Sequence, residues 1–328
     1  MPLKVVVTDF LTEPLEPERS VLGDLAEVVA CNAHSEEELV GHVEDAHALM
    51  VYHNVSISAQ TIQRLGQCKL IVRCGVGYDN VDRDAAAARG IPVANVPDYG
   101  TEEVADTALG MLLALARGIH LYNSRLRSGG GPWMYTLAVP LRRLRGQGLG
   151  IVGLGRIGTA MALRGKALGM EVRFFDPYKP DGYDKALGIR RVETLEELLA
   201  GSLAVSLHCP LTGETRHMIG RGALECMPEG SFLINTARGA VVDTVALVDA
   251  LASGKLGGAG IDVLEAEPPP DDHPLLMAWR DPAHAAHHRL ILNPHAAFYC
   301  EEGLLDMRIK GAQACRRALL GQPLRNLV

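Results

Sequence analysis

The sequence predicts an α/β protein of two domains built on parallel sheets. Three observations carry that expectation. The chain has 328 residues, about twice the 150 or so of a typical domain. Short, nearly all-apolar runs alternate with helical patterns, as strands do when crossover helices bury both faces of a sheet. A glycine motif of the phosphate-binding kind sits inside the second series of such runs. A composition of 48% hydrophobic and 22% charged residues excludes a disordered chain.

In the first series, Leu3–Thr8, Ala48–Tyr52 and Leu70–Cys74 read as strands. Ser35–Val43 reads as a helix, with Ser35 as N-cap and Glu38 as its capping-box partner. Ser58–Leu65 reads as another. Asn95–Gly100 is a polar crossover. A long helix is expected from Thr101, which can cap it, to about Arg127, before Ser128 and three glycines. Its length and apolar load (Leu109, Met111, Leu112, Leu113, Leu115) suggest a subunit contact.

The second series offers strands at Gly148–Val152, Glu171–Phe175, Leu203–His208, Ser231–Asn235, Gly258–Ile261 and Leu290–Leu292. A helix is expected over Thr159–Leu168, and Glu301–Leu320 is amphipathic.

Charge and cysteine usage narrow the function classes. With 32 basic against 39 acidic residues the chain carries −7, which argues against a nucleic-acid binder. No apolar run reaches the about 18 residues of a membrane span, and the first ten residues read as a strand, not a signal peptide. The cysteines at 31, 68, 74, 209, 226, 300 and 315 are odd in number and lack C-x-x-C spacing, so reduced thiols in a cytoplasmic protein are expected. His284, His287 and His288 lack a carboxylate or thiol partner, and no metal site is expected.

Four constellations carry chemistry. Gly153-Leu154-Gly155-Arg156-Ile157-Gly158 follows an apolar strand and opens a helix, and Asp176 lies 18 residues beyond Gly158. That context is the dinucleotide fingerprint: glycines bring backbone to a pyrophosphate at a helix N-terminus, and the acid accepts ribose hydroxyls and repels a 2′-phosphate. NAD is therefore the expected cofactor. Arg238 follows one strand, Glu267 lies in an acidic loop after another, and His295 follows a third. Each alone has a bland reading as a surface or structural residue. Together, a His oriented by a carboxylate can transfer a proton, and an Arg can hold a substrate carboxylate. That set suits hydride transfer between NAD and a 2-keto acid.

In order along the chain, Val72–Asp82, the glycine fingerprint, Asn235–Gly239, Gly260–Pro268 and Pro294-His295 resemble the D-2-hydroxyacid dehydrogenase family. Tyr52-His53, Val72–Gly75, His295–Tyr299 and Met307-Arg308 resemble its C-terminal binding protein branch.

The resemblance implies a Rossmann-type cofactor domain, residues 99–297, inserted into a flavodoxin-like substrate domain, residues 1–98 and 298–328, with the active site in the cleft. It implies Arg238, Glu267 and His295 as catalytic residues, and Arg73, Gly75, Val76, Gly77, His53 and Phe298 around the substrate. It implies cofactor contacts from Thr101, Gly153, Gly155, Arg156, Ile157, Gly158, Asp176, Cys209, Pro210, Thr215, Thr236, Ala237 and Asp262. Phe298 stands where that branch has Trp, and the long tail of the animal proteins has no counterpart in this sequence. A small 2-keto or 2-hydroxy acid substrate and a homodimer are implied. An NAD-sensing corepressor and an NAD-binding scaffold are the alternatives.

Overall fold

The computed structural model describes residues 3–328. The chain forms two compact units: the residues up to Gly100 with Tyr299–Val328, and Thr101–Phe298, inserted in the sequence of the first.

The first unit is built on five parallel strands: β1 (Leu3–Val7), β2 (Ala26–Ala30), β3 (Ala48–Val51), β4 (Ile71–Arg73) and β5 (Val93–Asn95). Their order is β2-β1-β3-β4-β5. Val6, Leu49, Ile71 and Val93 bury side chains against Ile62 and Leu65 from the crossovers. The closing helix, Glu301–Leu319, buries Met307, Ala312 and Cys315. Arg308 on that helix grips the fully buried Glu18 of helix Glu16–Leu22 through two N–H donors, at 2.7 and 2.6 Å.

Two expectations for this unit are corrected. Residues 35–43 hold only a 3₁₀ turn, Glu37–Leu39. Gly41 in left-handed backbone stops the turn, and the Glu38 carboxylate accepts from the His34 amide instead of closing a capping box. β2 and β5 carry no strand signal, because Glu27 interrupts the short apolar run of the one and prolines bracket the three residues of the other. Ser58 does cap the helix Ala59–Arg64, accepting from the Gln60 amide.

The second unit is a seven-stranded parallel sheet: β6 (Gly148–Val152), β7 (Glu171–Phe175), β8 (Arg190–Arg191), β9 (Ala204–Leu207), β10 (Ser231–Asn235), β11 (Leu256–Ile261) and β12 (Leu290–Leu292). The order is β12-β11-β10-β9-β6-β7-β8, with apolar cores on both faces.

The expected long helix is two: Thr101–Ala116 and Ile119–Arg127, bent by 64°. Gly118 at φ 63° breaks it, and Ala138 packs so close that a Cβ there would lie 2.8 Å away. Met111, Leu112 and Leu115 pack into the unit's own core, so the apolar load that suggested a subunit contact is consumed internally. Thr101 is the first helical residue, not a cap, and its hydroxyl has no partner. No single helix among the described residues is long and apolar enough to cross a membrane.

Candidate active site

In the second unit the direction of strand addition reverses between β6 and β9, the place where open parallel sheets bind ligands. The glycine motif leaves β6 there. Gly153, at φ 86°, passes so close to Cys209 beyond β9 that a Cβ would meet backbone at 2.8 Å. Gly155 faces open space, and the helix Arg156–Ala167 starts immediately after it, three residues earlier than its sequence pattern suggests. Its first amides are therefore free of side-chain cover and suit a pyrophosphate.

Asp176 is set by two backbone amides, Leu154 at 2.8 Å and Tyr178 at 3.0 Å. The hydroxyls of Thr101 and Thr236 are buried without a partner, as expected of groups that await a polar ligand. Cys209 is buried, and that burial pushes its thiol up to about 11, so it packs and does not attack. Thr215 fastens its own loop by donating to the Pro210 carbonyl at 2.7 Å. Ile157 is half-buried against the core, and Arg156 is exposed.

The other cluster stands on three adjacent strand ends, β10, β11 and β12. The Asn235 carboxamide accepts from the Ala237 amide and donates to the Arg238 carbonyl, turning the chain sharply after β10. Gly239 then meets the Leu264 backbone so closely that a Cβ would lie 2.0 Å from its carbonyl carbon. This contact brings the Arg238 loop against the Glu267 loop. Glu267 accepts the Leu264 amide at 2.7 Å with one oxygen and meets His295 Nδ1 at 2.6 Å with the other.

Burial raises the Glu267 carboxyl, but the hydrogen bond and charge of His295 outweigh it and hold the group below the usual carboxylate range. His295 occupies left-handed backbone at φ 52°, a strained conformation for a side-chain residue. Asp262 holds that turn: its carbonyl accepts the His295 amide and its carboxylate accepts those of Ala296 and Ala297. The Phe298 ring lies edge-on to His295 at 6.2 Å.

In the first unit Arg73 ends β4 and is 7% exposed. Its guanidinium lies over Gly75, where a side chain would sit, and donates to the Cys74 carbonyl at 3.1 Å. Asn95 pins the adjoining loop by donating to the Val76 carbonyl at 2.7 Å. Gly77 is half-buried in the same loop, and His53 follows β3.

Sequence reasoning missed Asn235 and Gly239 as the residues that aim Arg238, and missed that Asp262 holds the histidine turn. Their signal was present: an Asn two residues before an Ala-Arg-Gly turn is a side-chain-to-backbone turn maker.

The sequence model described as "D-isomer specific 2-hydroxyacid dehydrogenase, NAD binding domain" matches residues 109–297. The chain belongs to that family. It is 34% identical over 326 residues to D-3-phosphoglycerate dehydrogenase of Methanocaldococcus jannaschii, covering 99% of this chain and 59% of that protein. It is 33% identical over 312 residues to C-terminal-binding protein 1 of Caenorhabditis elegans, covering 93% and 42%. The chain thus spans about half the length of these curated relatives. Among solved structures it resembles D-lactate dehydrogenase from Aquifex aeolicus complexed with NAD and lactic acid, at 29% identity and a TM-score of 0.84, covering 97% of this chain and 96% of that one.

Proposed function

We propose that the protein is an NAD-dependent oxidoreductase that interconverts a small 2-keto acid and a D-2-hydroxy acid. The observation that carries this reading is the 2.6 Å contact between His295 and Glu267 on strand ends adjoining that of Arg238.

NADH, when bound, supplies the hydride that reduces carbon 2. The chain's residues supply everything else. Gly153–Gly158 and Asp176 bind the dinucleotide, with the hydroxyls of Thr101 and Thr236 as further donors or acceptors. Arg238 binds the keto oxygen and polarises it. Protonated His295 gives its Nε2 proton to the oxygen as the alkoxide forms, and ionised Glu267 at Nδ1 fixes the tautomer and favours the imidazolium. Arg73 and the amides of Gly75–Gly77 hold the substrate carboxylate. In the oxidative direction His295 takes the proton back.

A corepressor or scaffold has no use for an assembled proton donor, so the His295–Glu267 pair favours turnover over those readings. The test is NADH absorbance with pyruvate, glyoxylate and hydroxypyruvate in turn. A fall with at least one acid is expected; no fall with any 2-keto acid in a broad panel contradicts the reading.

We further infer a homodimer, seated on residues 119–139. Ile119, Met134, Tyr135 and Val139 are exposed, and Trp133 is 87% exposed, several large apolar side chains left in water within one segment. Sedimentation should give about twice 35.2 kDa, and a monomer mass at micromolar concentration contradicts it.

A further inference from the structure

The first unit has a reversal point of its own. β1 pairs with β2 on one side and β3 on the other, so a ligand crevice is expected beyond the carboxyl ends of β1 and β3. The residues there are Asp9 and Phe10 after β1, and Tyr52, His53 and Asn54 after β3.

These two turns are tied together. The Asp9 carboxylate is fully buried and accepts the Tyr52 amide at 2.9 Å, the Asn54 amide at 2.7 Å and the Thr8 hydroxyl at 2.6 Å. Phe10 then adopts φ 69°. For a bulky aromatic residue that backbone is strained and persists only where the surroundings impose it. It turns the ring onto Tyr52, with centroids 5.4 Å apart, and onto His53 at 4.7 Å. Tyr52 is fully buried, whereas Phe10 and His53 each keep part of their surface exposed. Arg73 ends the next strand, opposite Val51.

A core phenylalanine needs no left-handed backbone. This strain leaves an aromatic ring partly exposed at the reversal point, two strands from the arginine that would hold a carboxylate, with His53 on the strand between. We propose that Phe10 is a specificity-determining residue that, with His53, walls the subsite for the substituent on carbon 3 of the keto acid. The proposal rests on the dehydrogenase reading above. A rigid aromatic wall limits that substituent to a compact one, a hydrogen, methyl or hydroxymethyl group.

The experiment compares kcat/KM for phenylpyruvate and pyruvate in wild type, Phe10→Ala and Phe10→Gly. Removing the ring should raise the phenylpyruvate-to-pyruvate ratio at least tenfold, the scale at which pocket volume discriminates substrates. Phe10→Gly removes the same ring while accepting φ 69° without strain, so it keeps the test open if Phe10→Ala folds poorly. A structural role alone would lower Tm or raise both KM values together, leaving the ratio unchanged. A wild type active on pyruvate, with a ratio unmoved within twofold in Phe10→Gly, overturns this inference alone. A wild type silent with every keto acid overturns the dehydrogenase reading and the inference with it.

Discussion

Glu18 and Glu267 each meet a basic side chain at 2.6 Å, Arg308 and His295 respectively. Glu18 is wholly buried, and the guanidinium facing it is held charged more firmly than usual by its hydrogen bond to Glu18. That pair joins two helices, and its cation is a guanidinium, which stays charged. Glu267 and His295 retain 34% and 26% side-chain exposure, and an imidazole gains or loses its proton near neutrality. On the proposed reading, the same distance yields a fastener in one unit and a proton-handling pair in the other. Solvent access and the titrating partner make the difference.

The largest effects should separate the pairs by what they change. His295→Ala should lose turnover by about 10²- to 10⁴-fold, the usual contribution of general acid catalysis, while still binding NADH and losing little in Tm. Normal turnover in that variant would remove His295 from the mechanism. Arg308→Ala should do the reverse. It leaves Glu18 buried without its cation and should cost about 3–5 kcal/mol of stability, read by denaturant melts, with the pH–rate profile of the surviving folded enzyme unchanged. A loss under 1 kcal/mol would mean that Glu18 is not held by this pair.

Next in size is cofactor choice. In the proposed reading the Asp176 carboxylate, anchored by two backbone amides, meets the ribose, so NADH should be preferred over NADPH at least tenfold, equivalent to about 1.4 kcal/mol, and Asp176→Ala should narrow that gap. Equal binding of both cofactors to wild type contradicts the assignment. The smallest effect concerns acid stability. Because the Glu267 carboxyl is lowered from about 4.5, its pair adds stability above that pH and loses it as the pH falls through the folded value. Glu267→Gln and wild type should therefore melt alike in acid and diverge slightly above it; a gap that persists unchanged in acid speaks against the pair.

Much of this was legible in the sequence because it is local. The glycine motif, its strand and the acid beyond it are contiguous features, and each βα unit announces itself by its apolar run. The break at Gly118 was not legible, since it depends on Ala138 packing from farther along the chain. The five residues of β2 and the two of β8 are too short or too charged to signal a strand alone; pairing with β1 and β7 makes them strands. For the candidate site, residue types were readable and geometry was not. The Glu267–His295 contact spans 28 residues and exists because β11 and β12 are sheet neighbours. The strain at Phe10 arises from an Asp9 carboxylate reaching across to β3, which no local pattern encodes.

The central claim is that Glu267 and His295 work as one proton-transfer unit. Its most direct test is the rate of keto-acid reduction against pH in wild type and Glu267→Gln. The interaction between the pair is reciprocal, so removing the carboxylate's charge destabilises the imidazolium that donates the proton. Reduction should fall with rising pH in both proteins, and in Glu267→Gln that fall should come at lower pH. Two superimposed profiles would contradict the account, since Glu267 would then be uncoupled from the proton donor.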